Sequence, residues 1–468
     1  MKDGYMSSLV VDNRGSKNAN RVSESIEVEE EVSMRGEESE TPKETPNNIG
    51  LPFKLNELFC IADILSSALG IGAFTFPYIL YEIGVINSLF IFIFVSICVY
   101  YSLDLLIRFV VDSNLFSYSA TTQTTLGNCW LKIYAISTFL FYMGNIVNLI
   151  KVMFNIISSM LNFKDDDDKD NYLIKIPYFF ITFAIELLLC LYTNDINKIH
   201  IFSIIISVIF IIILFVVIIK AIIFLSSDND NKFEYFSFFS LPNSSSGWDC
   251  FLTIISKFIV FFYGYIYHNT FPTFLNCLEK VDDENTKKIH NTSFFTIFII
   301  YFLFSFFGLF LINGDNKDNK QLIVNKKDLE ENNPLAYIFK CILLLLFTSL
   351  IPIRYLVIRD NFTPIIGQNQ MSKLFEIIIT CICLIIANLV VYFSDFDNLI
   401  SNIILIFGGC FGVFICFVLP VINYIAINGR TKMRSIIGYV VTGIFVIIGF
   451  FSIFYNFKNK DEIIKDKY

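Results

Sequence analysis

Charge is scarce in this chain of 468 residues, and the scarcity is uneven. Lys, Arg, Asp and Glu make up 17% of it, against about 25% in an ordinary soluble domain. They crowd into residues 1–56, the connecting segments and the last eleven residues. Between them run apolar stretches of about 20 residues or more, each long enough to carry a helix across the roughly 30 Å hydrocarbon core. With 55% hydrophobic residues and a mean hydropathy of +0.61, this patterning excludes a soluble globular domain. It predicts an all-α, multi-pass protein of the lipid bilayer.

Other absences narrow the chemistry. There is no H-E-x-x-H, no catalytic dyad and no phosphate-binding loop, so the chain is not expected to be an enzyme, to hold a cofactor or to bind nucleic acid. Eleven cysteines show neither metal-ligand spacing nor a disulfide framework. Most lie in apolar stretches (Cys60, Cys98, Cys190, Cys341, Cys381, Cys383, Cys410, Cys416), where cysteine behaves as a small apolar residue. No apolar signal-peptide core precedes the first span, so that span must direct insertion.

Three regions are expected: a disordered acidic tail over 1–53, a membrane domain over 54–457 and a short polar tail over 458–468. Eleven acidic residues stand before Gly50, and such a segment buries too little apolar surface to fold. The membrane domain reads as eleven spans, near 57–80, 83–111, 131–161, 173–193, 199–225, 251–278, 291–313, 336–358, 372–393, 399–426 and 435–457. The tenth is expected to bend at Gly408, Gly409, Gly412 and Pro420. Basic residues in short loops mark the cytoplasmic side. Arg359 with Lys373, and Arg430, Lys432 and Arg434, put the N-terminus in the cytoplasm and the C-terminus outside.

Two spans carry interruptions. The first contains "ALGIGAFTFP" (68–77), with Gly70, Gly72 and Pro77 in its middle third. Glycine costs a helix interior about 1 kcal/mol and proline about 3. The sixth contains "FFYGYIYHNTFP" (261–272), with Gly264, His268, Asn269, Thr270 and Pro272. Non-helical backbone inside a membrane is tolerated only where it lines a cavity or is buried in protein. The two interruptions stand five spans apart, the placement found in transporters built from inverted repeats with broken helices. The plainer alternative is that Gly70 and Gly72 serve close helix packing. Other intramembrane polar residues are Asp63, two helical turns before Gly70, Asn145 and Asn148, and Lys151 and Glu186, the last two expected to pair. Asp104 and Arg108 are spaced for a surface ion pair, and Arg354 and Arg359 read as anchors at the cytoplasmic face.

These motifs resemble the amino acid/auxin permease family. Gly70, Gly72, Phe74, Phe76 and Pro77 match its first-span pattern; His268, Phe271 and Pro272 match its sixth. Ser293 with "FFGLFLING", and "IFGGCFGVFICFVLPVINYI", are similar to its seventh and tenth spans. The resemblance implies a LeuT-type fold of five plus five inverted spans with one extra. It implies symport of amino acids, driven by protons or sodium. It would place the substrate against the backbone of Ala68, Leu69, Gly70, Ile71 and Gly72, facing Tyr267, His268 and Asn269, with Asn148 nearby. Ion coupling would fall to Ser66 and Asp63, with Thr348 and Ser349. A sodium ion would take Ser66, Leu69, Thr348 and Ser349. Sodium-coupled relatives commonly have asparagine where this chain has Ser66, which favours protons. The membrane is expected to be the plasma membrane or that of an acidic vacuole-type compartment. The alternative is an amino-acid-sensing receptor of the same fold with little flux.

Overall fold

The computed structural model describes residues 55–113, 115–160, 172–193, 196–226, 247–275, 283–312, 334–362, 373–393, 402–429 and 433–465, with isolated positions 278 and 281. The acidic tail, the acidic loop at 164–170, the 394–398 loop, and Arg430 and Lys432 lie outside them.

Among the described residues every regular element is helical: α1 (Leu55–Ala68), α2 (Ile71–Ile83), α3 (Val85–Ser113), α4 (Tyr118–Leu126), α5 (Asn128–Met160), α6 (Tyr172–Tyr192), α7 (Ile196–Ser226), α8 (Gly247–Gly264), α9 (Phe271–Leu275), α10 (Asp283–Leu309), α11 (Pro334–Phe362), α12 (Lys373–Phe393), α13 (Ile404–Asn428) and α14 (Met433–Lys465). Nine are long and apolar enough to cross a membrane. The pair α1 and α2, bent by 56°, makes a tenth. The shorter apolar segment Phe179–Tyr192 in α6 lies at the expected fourth span. The outer faces are apolar, with Ile201, Phe215 and Ile223 on α7 and Phe450 on α14 exposed, as a lipid-facing surface requires.

Both expected interruptions are present, each narrower or cleaner than the motif suggested. The first is confined to Leu69 and Gly70, and α2 continues as helix through Pro77. The second runs from Tyr265 to Thr270, between α8 and α9. The broken pieces lie inside the bundle. α1 packs on α7 and α10; α2 packs on α10 and α8.

Several elements differ from the sequence reading. A short helix, α4, precedes the third span, started by the Ser117 side chain and stopped at Gly127, whose φ of 85° suits glycine. The span-ten glycines mark π-helical turns over Ile404–Gly412 and Phe414–Val418. They also permit close approach. A β-carbon on Gly412 would stand 2.6 Å from Ile266, and one on Gly408 would stand 3.0 Å from Tyr263. Gly409 and Gly449 meet backbone to backbone between α13 and α14. α14 itself runs on to Lys465, beyond the boundary expected near 457.

Glu186 does not meet Lys151 as expected. Its carboxylate accepts from the Asn388 amide at 3.1 Å, tying α6 to α12. Asp104 and Arg108 do form the i,i+4 ion pair, at 2.9 Å.

The Gly409–Gly449 approach is open to test. Gly449→Val forces the two backbones apart, and overpacking of this kind costs about 1–3 kcal/mol. The variant should insert normally and melt about 3–8 °C lower in a thermal-unfolding scan of the purified protein. Melting at the wild-type temperature would contradict so close an approach.

Candidate substrate site at the paired helix breaks

The Leu69 amide still bonds the Leu65 carbonyl at 2.8 Å, so α1 is helical to its end. Gly70 then turns extended, with φ −163° and ψ −163°. Any residue adopts that backbone, so glycine is needed there for space. A β-carbon at Gly70 would stand 3.1 Å from Nη2 of Arg354.

The broken turn releases carbonyls that would otherwise bond up the helix, and side chains from two other helices take them. Arg354, on α11, donates from Nη1 to the Ser67 carbonyl. Tyr301, on α10, reaches the Ala68 carbonyl at 2.7 Å and the Gly264 carbonyl at 2.8 Å, its single hydroxyl proton shared between them. One buried hydroxyl therefore bridges the first break to the second. At the other edge, α2 begins at Ile71, and its leading amides have no acceptor within the helix. Such a terminus suits an anion.

The breaks also touch directly. A β-carbon on Gly72 would stand 2.8 Å from the Gly264 Cα, and one on Gly264 would stand 2.5 Å from the Phe76 ring. Gly72 is thus a packing glycine between α2 and α8. The ligand-approach role expected of it does not account for its missing side chain. From α5, the Asn148 amide donates weakly to the Tyr263 hydroxyl at 3.5 Å, while its Oδ1 is buried without a partner. The Tyr142 hydroxyl is likewise buried and unpartnered.

The family model described as transmembrane amino acid transporter protein matches residues 60–459. The chain belongs to that family. No curated protein matches it. Among solved structures, the transporter is similar to the Eremococcus coleocola manganese transporter in complex with an aromatic bis-isothiourea substituted compound. That pair aligns at a TM-score of 0.58 and 13% identity, over 87% of this chain and 88% of that one. A mutant of the same manganese transporter aligns at 0.55 and 11% identity, over 86% and 87%. The shared fold is LeuT-like.

Placed on the transporter, the expected site residues fall into three groups. Ala68, Leu69, Gly70, Ile71 and Gly72 make the first break and its edges, all buried, and Asn148, also buried, stands against Tyr263 at the end of α8. Tyr267, His268 and Asn269 lie within the second break, equally buried. His268 stands within electrostatic reach of His290 on α10, and neither of its ring nitrogens has a partner. Asn269 donates to Thr138 on α5 at 3.2 Å. Of the tyrosines beside Gly264, it is Tyr263 that meets Asn148.

Of the expected sodium ligands, Ser66 and Leu69, which would offer carbonyls, lie at the end of α1, and Thr348 and Ser349, which would offer hydroxyls, lie on α11. Ser66 bonds the Asp63 carbonyl at 2.9 Å and Ser203 on α7 at 3.0 Å. Thr348 and Ser349 each give their hydroxyl proton to their own helix, at 2.7 Å, and Thr348 also faces Met153 on α5. The group that does reach from α11 to the first break is Arg354. The reading of Arg354 as a cytoplasmic anchor is therefore corrected: it is only 5% exposed and faces the interior. Arg359, five residues on, does sit at the helix end, paired with Asp360 and Glu376.

Asp63 is fully buried, and its Oδ2 lies 2.6 Å from Nδ1 of His200 on α7. The sequence reading omits His200 and Tyr301 and assigns Arg354 to the wrong place. A signal existed for Arg354, since an ionisable residue inside an apolar run is functional by default. Tyr301 offered a weaker one: a hydroxyl in a run of Phe and Ile must find a partner.

Two substitutions test this arrangement. Tyr301→Phe strands two buried carbonyls, at about 1–3 kcal/mol in all. It should lower transport well beyond its effect on the amount of protein in the membrane, as measured by uptake normalised to surface expression. Gly72→Val should abolish uptake by wedging α2 from α8. A well-expressed Gly72→Val protein with normal uptake would show that the two breaks need not touch.

Proposed function

We propose that this chain is a secondary active transporter that carries amino acids across a membrane and draws on a proton gradient rather than a sodium gradient. The observation that carries the reading is the meeting of two broken helices in a closed interior. The leading α2 amides suit a carboxylate. Asn148 Oδ1, buried and without a partner, suits an ammonium group. A zwitterion has both ends. Tyr267, His268 and Asn269 line the second break as its side-chain wall, and the neutral or charged state of His268 governs what it offers.

Proton coupling draws support from two features. The Arg354 guanidinium already sets a fixed positive charge against the first break, on the Ser67 carbonyl. Buried Asp63 on α1 touches the partly exposed His200 on α7 at 2.6 Å, a carboxylate–imidazole contact two helical turns before the first break. We place the N-terminus in the cytoplasm, on the basic residues Arg359, Lys373 and Arg434, in the plasma membrane or an acidic vacuole-type membrane.

Proteoliposomes holding the full chain test the reading, with a labelled mixture of the twenty protein amino acids as probe. Uptake should rise under an inward proton gradient without sodium. Asp63→Asn should lose that rise while counterflow exchange persists. Uptake that demands sodium and ignores pH would overturn the coupling. Binding without flux would favour a sensor over a transporter.

A further inference from the structure

We propose that Arg354 is the residue that anchors the substrate's carboxylate, making the site selective for the free acid. The inference rests on the amino acid transport reading and adds to it a side chain and a charge requirement.

Arg354 sits on α11 two residues after Pro352, with apolar residues on either side. Its guanidinium has five N–H donors, and Nη1 uses one on the Ser67 carbonyl. Among the described residues it forms no ion pair, although it is 95% buried within the bundle. A guanidinium held away from water without an anion is strongly unfavourable. A bound carboxylate relieves that condition, and the planar fork of arginine matches a carboxylate with two parallel hydrogen bonds.

The surroundings fit the same ligand. Nη2 packs against Gly70, where a β-carbon would stand 3.1 Å from it. Ile71, the first residue of α2, follows immediately, so the guanidinium sits next to the amino end of that helix. Tyr301 holds the neighbouring Ala68 carbonyl. Donors for a carboxylate thus come from Arg354 on α11 and from the first amides of α2. The unpartnered Asn148 Oδ1, which touches Tyr263 through its amide, is an acceptor for the ammonium end. A carboxamide would keep the ammonium contact and lose the charge that Arg354 requires.

The competing role is purely mechanical, with Arg354 tying α11 to the end of α1 through Ser67. The two roles separate by chemistry. The full-length protein in proteoliposomes is given the labelled mixture of twenty amino acids. The best-accumulated member is then competed by its own free acid and by its carboxamide. Wild type should prefer the acid by roughly 100-fold, the range of a charge-assisted bidentate contact. Arg354→Gln should weaken the acid by roughly 10- to 100-fold and leave the amide within about threefold. Arg354→Lys, which keeps the charge and loses the fork, should fall between and carries the comparison if the glutamine variant does not insert. Ligand-induced thermal stabilisation of the purified protein supplies the same ratio where a variant binds but does not transport. Equal weakening of acid and amide, or an unchanged preference in Arg354→Gln, would overturn the anchor. Wild type that binds the acids without accumulating them removes the transport reading and leaves the anchor standing; wild type that binds none removes both.

Discussion

A peptide group inside a membrane has no water to turn to, and two stretches of this chain leave the helix there. Everything distinctive about the interior follows from satisfying what those stretches release. The Ala68 and Gly264 carbonyls share the Tyr301 hydroxyl, and the Ser67 carbonyl takes Arg354. Each of these supports comes from a helix distant in sequence. The broken spans are therefore stable only within the assembled bundle. The Ala73 amide turns back to the Gly70 carbonyl at 3.2 Å, and the two amides before it, at the start of α2, have no acceptor within the helix.

Close packing is the second half of the same solution. Gly72 lies on Gly264, Gly412 lies under Ile266, and Gly408 lies beside Tyr263. Without a hydrophobic force between helices in lipid, van der Waals contact between small residues is what holds them together. The α13 glycines seat that helix against the second break, and its π-turns set their spacing. A motion that opens either break must slide these backbone surfaces across one another. That couples the two halves of the bundle and suits a transporter whose site opens to one side at a time.

Charge is distributed to match. Ion pairs near the ends, such as Asp104–Arg108, Lys257–Glu82 and Lys288–Glu57, keep some solvent exposure. Among the groups that sit deeper, Glu186 leans on Asn388, Asp63 leans on His200, and Arg354 leans on a backbone carbonyl. The first two have side-chain partners, an amide donor for Glu186 and an imidazole for Asp63. Arg354 has only a carbonyl dipole against it among the described residues, beside the start of α2.

The membrane class, the approximate spans and the positions of both breaks were legible in the linear order of residues, because hydropathy and helix breakers act locally. Gly70 and Gly264 mark the breaks whatever surrounds them. Side-chain partners were not legible, since each depends on which helix faces which. Arg354 read as a basic residue near a helix end until α11 was seen to bring it against Ser67. His200 carried no local signal, because its meaning comes from Asp63, 137 residues away. The pairing of Glu186 went to Asn388, and Thr348 and Ser349 turned back on their own helix, for the same reason. Local sequence determined that the chain enters a bilayer and where its helices fail. Tertiary packing decided what fills each failure, because a buried polar group takes whichever partner the fold places within reach.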